Sequence, residues 1–246
     1  MAAQTMEDET NSIAPKELKE LKRVYEKLCL WSEKFKIIER LNTIEDDVLN
    51  LHDSSLNNDK DSKSNELEQL SNTKRQLNEE LEQIRNRPDQ HIRVQDAAAA
   101  FKSLGKKVPK REILDMMWEV DEKLDNIIDW DEFSLMFARN IHDSTGLEPA
   151  GFYHMVQFMI YDRNDNGKVS VDETMNMLYA RVGREKMETI IIKLFGDGDG
   201  SAFKEEGSQG GEIDFNRYWD VVEREQINRF EESELGKTLL EKKRKK

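Results

Sequence analysis

The sequence predicts an all-α protein, a series of helix–loop–helix units behind a long helical extension. Three observations carry that prediction. Apolar residues recur at steps of three and four through most of the chain, the period of a helix with one buried face. Only four prolines and twelve glycines interrupt 246 residues, and helix interiors exclude both. From residue 93 onward an apolar helical stretch, a polar loop and a second apolar stretch alternate repeatedly.

The chain divides in order into five parts. Residues 1–15 read as a loose polar tail ending at Pro15. Residues 16–65 form an N-terminal helix and a polar linker. The helix carries Leu18, Leu21, Tyr25, Leu28, Trp31, Phe35, Ile38, Leu41, Ile44, Val48 and Leu51 on one stripe. Several consecutive steps of three break a strict heptad, which argues against a uniform coiled coil. The linker, HDSSLNNDKDSKSN at 52–65, is rich in Ser, Asn and Asp. Residues 66–141 begin with a second helix, where Leu67, Leu70, Leu77, Leu81 and Ile84 take coiled-coil positions and Lys74 fills one slot. The two stripes leave three arrangements open: an antiparallel hairpin, packing on the rest of the chain, or a grip on another protein. After Pro88 come RVQDAAAAFKSLG, VPKREILDMMWEVD and DWDEFSLMFARNI. Residues 142–225 open on the connector HDSTGLEPAG and continue through FYHMVQFMIYD, VDETMNMLYARVG, KMETIIIKLFG and FNRYWDVVEREQ. Residues 226–246 continue the last helix into a basic tail, Lys242 to Lys246 with Arg244 among them. Such a run docks on an acidic surface, serves as a nuclear address, or is simply a solvated tail.

Composition excludes several classes. A net charge of −13 disfavours nucleic-acid binding and suits a chain that attracts cations or basic helices. Cys29 is the only cysteine, so no internal disulfide forms and a reducing, cytoplasmic setting is expected. No apolar run approaches the roughly 20 residues that span a bilayer, so no membrane partner is expected. The acidic start, MAAQTMEDETNS, is unlike a secretory signal. His52, His91, His142 and His154 show no metal-ligand spacing, and no nucleophile motif or nucleotide loop appears, so the chain is not expected to be an enzyme.

One loop carries the chemistry. From Tyr161 to Glu173 the chain reads YDRNDNGKVSVDE. Asp162, Asn164 and Asn166 place side-chain oxygens at positions 1, 3 and 5 of a twelve-residue loop, and Gly167 at position 6 supplies the freedom for a sharp turn. Lys168 offers its backbone carbonyl at position 7, Ser170 acts at position 9 through a water, and Glu173 at position 12 offers both carboxylate oxygens. A hard dication such as Ca²⁺ needs six to eight oxygens at about 2.3–2.6 Å, and this spacing supplies them.

That loop, flanked by apolar helices, resembles the loop of the EF-hand superfamily, and residues 66–225 resemble a calmodulin-like protein with four hands in two lobes. The resemblance implies Ca²⁺ as cofactor and a short β-bridge between paired loops at position 8, where Ile92, Ile128, Val169 and Ile213 stand. The other three loops depart from the pattern. The first, 85–96, has arginines at positions 1, 3 and 9. The second, 121–132, keeps Asp121, Asp125, Asp129 and Glu132, but Lys123 takes a ligand position and Asn126 replaces the glycine, which leaves weak binding open. The fourth starts with Asp197, Asp199 and Ser201, runs through an insertion, and ends on Arg217 in place of the bidentate glutamate. These three are expected to be structural. In sensors of this kind a filled loop exposes a methionine-lined groove. Met155, Met159, Met175, Met177 and Met187, with Met116, Met117 and Met136, are candidates for it or for the core. Long helical extensions on degenerate hands resemble cytoskeletal proteins of axonemes and centrioles. The expected role is therefore an adaptor or sensor that grips partner helices in a microtubule-based, ciliary assembly. The alternatives are a calcium-independent structural protein and a regulatory subunit of an enzyme.

Overall fold

A computed structural model describes residues 13–53, 60–196 and 211–244. The all-α expectation holds, with two small antiparallel bridges between helices. Helix α1 (Pro15–Leu28) starts on a proline, which suits the first turn because that N–H has no intrahelical partner. Ile13, within the stretch read as a tail, is already buried. Leu21, Val24 and Leu28 are fully buried along one face of α1. The single helix that the stripe predicts breaks at Leu30, which takes a left-handed φ of 54°. That conformation costs a non-glycine residue roughly 1–2 kcal/mol, and full burial of the leucine side chain offsets it.

Helices α2 (Trp31–Asp53) and α3 (Lys60–Arg85) form a hairpin. Two cross-links fix its sense: Glu33 pairs with Arg87 at 2.8 Å and Glu45 with Lys74 at 2.7 Å. Numbers rise on one arm as they fall on the other, so the arms are antiparallel. Leu30, Ile37, Ile44, Leu77, Leu81 and Ile84 make its own apolar seam. Because α3 begins at Lys60, helix enters the stretch that composition marks as linker. Of the three arrangements left open by the stripes, the hairpin holds for α2 and α3, while α1 packs on the rest of the chain.

The remaining helices are α4 (Val94–Ser103), α5 (Lys110–Trp118), α6 (Trp130–His142), α7 (Gly151–Tyr161), α8 (Val171–Phe195), α9 (Phe215–Glu232) and α10 (Glu234–Arg244). Strands β1 (Ile92–Arg93) and β2 (Ile127–Ile128) pair with Ile92 opposite Ile128. Strands β3 (Lys168–Ser170) and β4 (Glu212–Asp214) pair with Val169 opposite Ile213. All four position-8 residues therefore sit where the resemblance places them. Gly183, at φ 73° and ψ 177°, breaks α8 into two limbs. Every residue of α7 from Phe152 to Tyr161 is buried, so this helix is surrounded on all sides.

One apolar core runs through both pairs of units and includes α1. Phe101 of α4 lies 6.0 Å from Phe215 and 5.8 Å from Trp219, both on α9. Phe133 of α6 meets Phe152 of α7 edge-on at 6.1 Å. Tyr25 of α1 contacts Trp130 and Phe133 at 5.4 and 5.2 Å. Of the eight candidate methionines, seven are buried in this core and Met175 is exposed.

Candidate metal centre

The third loop is shaped by its own oxygens. Asp162 closes α7 and accepts from the backbone N–H of Asn166 and of Gly167, each at 3.0 Å. Asn164 Oδ1 accepts from Asn166 N at 3.0 Å, and Asn166 Oδ1 from Lys168 N at 2.8 Å. At the exit, Ser170 and Glu173 form a reciprocal cap: Ser170 N donates to Glu173 Oε2 at 3.0 Å and Glu173 N donates to Ser170 Oγ at 3.3 Å. Two residues take left-handed backbone, Asp165 at φ 57° and Gly167 at φ 76°. A Cβ on Gly167 would meet nothing within 4 Å, so glycine is needed there for its backbone freedom rather than for space. Burial pushes the Asp162 carboxyl above its ordinary value, against the opposing pull of the Gly167 and Asn166 amides. Each carboxylate oxygen has a second lone pair, so these hydrogen bonds leave acceptor capacity for an ion. The donor set is all oxygen, the chemistry a hard dication requires.

The second loop repeats that backbone with different chemistry. Leu124 and Asn126, at positions 4 and 6, are left-handed with φ 57° and 64°. Asp121 accepts from Asp125 N at 3.1 Å and from Asn126 N at 2.8 Å, as Asp162 does in the third loop. Glu132 accepts from Lys123 N at 3.0 Å and from Asp129 N at 3.2 Å. The difference is the position-3 side chain. The Lys123 ammonium forms an ion pair with Asp129 at position 9. Its hydrogen bond to Asp129 raises the lysine above its ordinary value. The Asp129 carboxyl lies below its own: burial alone would raise it, but the lysine and the Glu132 amide outweigh that.

The first loop is also closed by a position-3 cation. Arg87 chelates Asp89 through Nε at 3.1 Å and Nη2 at 3.0 Å. Asp96, at position 12, accepts from Arg93 N at 3.0 Å and from Ser32 N at 2.8 Å, so it caps two helices. In the fourth loop, Asp214 accepts from Arg217 N at 2.9 Å and starts α9. Asp197, Asp199 and Ser201 lie outside the described residues. Among the described residues, no three His, Cys, Asp or Glu side chains gather in a metal-holding group. The ligand positions of the third loop hold only two carboxylates, Asp162 and Glu173, and the remaining donors there are amide, hydroxyl and carbonyl oxygens.

Comparison with known proteins bears on this geometry. The family description "EF-hand domain pair" matches residues 98–140. Calmodulin-like protein 2 of Arabidopsis thaliana is 30% identical over 112 residues, which cover 43% of this chain and 70% of that protein. The chain is a calmodulin-like EF-hand protein. Troponin C isoform 2 of Caenorhabditis elegans is 21% identical over 135 residues, 54% of this chain and 78% of its own. Cell division control protein 31 of Saccharomyces cerevisiae is 26% identical over 116 residues, 46% and 69% respectively. Ca²⁺ is the cofactor of this EF-hand protein. Among the described residues, no helix is long and apolar enough to cross a membrane.

In the sequence, Arg87 and Lys123 stand out only as cations at ligand positions of the first and second EF-hand loops. The structure adds that Arg87 and Lys123 pair with carboxylates of their own loops. The shared signal was available: both occupy position 3, where the third EF-hand loop has Asn164.

Proposed function

We propose that this EF-hand protein binds calcium in its third loop alone and serves as an adaptor or sensor within a larger protein assembly. The ligands are Asp162, Asn164, Asn166, the Lys168 carbonyl, Ser170 through a water, and Glu173. The observation that carries this reading is the residue at position 3: a neutral oxygen donor, Asn164, in the third loop, against Arg87 and Lys123 bound to loop carboxylates in the first two. The other hands act as scaffolding, supplying Ile92, Ile128 and Ile213 to the bridges and core. With two formal carboxylates, the affinity falls toward the sensor range of roughly 10⁻⁷–10⁻⁵ M or weaker. The partners are protein helices, and the setting is a cytoskeletal assembly such as a ciliary axoneme. The long polar hairpin of α2 and α3 supports that setting by analogy. The chain works by binding rather than by catalysis.

Titration calorimetry on the full chain tests the site. One calcium per chain is expected, and Asp162→Ala should abolish it. Undiminished binding in that variant would move the site to Asp121 and Glu132. Capture of partners with and without chelator tests the sensor role. A second reading, a calcium-independent adaptor, is favoured by the burial of Met155, Met159, Met177 and Met187. Equal capture under both conditions would select it.

A further inference from the structure

Helix α1 straddles the third hand. At its N-terminal end it holds the helix that leaves the loop: Lys16 Nζ donates to the Asn176 carbonyl at 2.9 Å, and Glu17 pairs with Arg181. At its C-terminal end it holds the helix that enters the loop, where Arg23 Nη2 donates to the Met159 carbonyl at 2.7 Å. It also reaches the loop itself. Lys27 Nζ lies 2.6 Å from Asp165 Oδ1 and Arg23 Nη1 3.6 Å from the same atom. Asp165 stands at position 4, between two proposed ligands, and is not one of them. Leu21, Val24 and Leu28 anchor the face between these polar contacts in the core.

Filling an EF-hand loop changes the angle between its entering and leaving helices. A segment fastened to both resists that change, and its two cations beside Asp165 oppose the arriving dication. We infer that α1 is a clasp whose docking weakens calcium binding in the third loop, so that calcium in turn loosens α1. The reciprocity is thermodynamic, because two binding events that disfavour each other do so by the same factor. This inference rests on the reading of Asp162–Glu173 as the ion site and adds a regulatory element to it.

The test uses the full chain, calcium calorimetry and amide hydrogen exchange of residues 15–28. The double variant Arg23→Ala/Lys27→Ala should bind calcium about three- to tenfold more tightly, a gap that narrows as salt rises. Lys16→Ala separates a clasp from simple charge repulsion. Lys16 is eleven residues from Lys27, roughly 16 Å along the helix and beyond the screening length at physiological salt. The clasp predicts about a twofold gain there as well. In the unmodified chain, calcium should speed exchange in α1. Unchanged or weaker affinity in the double variant, no gain in Lys16→Ala, or unchanged exchange in α1 overturns the clasp. An unmodified chain that binds no calcium, or an Asp162→Ala variant that still binds it, overturns the site reading itself.

Discussion

Replacing Lys123 by aspartate should turn the second loop into a calcium site. The backbone is already in place: Leu124 and Asn126 are left-handed, and Asp121 accepts the same two amides as its counterpart Asp162. What stands in the way is the ammonium on Asp129. Two unit charges about 4 Å apart interact by about 1 kcal/mol under water-like screening. Exchanging +1 for −1 next to a +2 ion changes four such unit pairs, an upper bound of roughly 4 kcal/mol. Lys123 is about half exposed, so the water-like value applies. Asn126 stands in place of glycine in both forms and is already left-handed, so it does not alter the difference. The bound of roughly 4 kcal/mol is about a thousandfold in affinity. Lys123→Met, which changes only two pairs, should gain up to about 2 kcal/mol. Calorimetry should show one site in the unmodified chain and two in Lys123→Asp. The aspartate variant should also be less stable without calcium, because its carboxylates lose their internal counter-ion, and should regain stability when the ion is added. A stoichiometry of one in a folded variant would refute the idea that Lys123 is what keeps the loop from binding.

Three further outcomes are expected. Gly167→Ala should cost about 1–2 kcal/mol through its φ of 76° and weaken calcium binding, measurable by thermal melts with and without the ion. Leu21→Ala should destabilise the chain by about 2–5 kcal/mol in denaturant unfolding, because its side chain is fully buried in the core. His154 should make stability fall in acid. Burial pulls its imidazole down to about 4, with a further downward push from Arg229 against a raising Gln226 contact. The unfolded chain therefore binds the proton first, so stability is complete above about pH 6.5 and is lost as pH falls toward 4. His154→Phe should flatten that part of the pH–stability curve relative to the unmodified chain.

The helices were legible because their apolar spacing is regular, and the third loop because oxygen-bearing side chains fall at alternate positions around a glycine. The bridges at Ile92–Ile128 and Val169–Ile213 followed from counting to position 8. The destination of the stripes was not legible. Leu21 and Leu28 on α1 belong to the same stripe as Ile44 on α2, yet they enter the main core and Ile44 a separate seam, which Ile37, off that stripe, shares. Periodicity shows that a face is buried but not against what, and the break at Leu30, a residue with no turn preference, sent the two faces apart. Lys123 and Arg87 were legible as charges, but their carboxylate partners depend on side-chain reach across a folded loop. The contacts of α1 with Asp165 and Asn176 join residues more than a hundred positions apart, which no local pattern encodes.

The joining of Phe101 to Phe215 and Trp219 means that the first half of the molecule and α9 of the second share an interior. Neither half can melt while the other stays intact, so heating should give a single cooperative transition. Cleaving the chain at the connector around residue 146 would then yield fragments that remain associated, each exposing aromatic rings once its counterpart is removed.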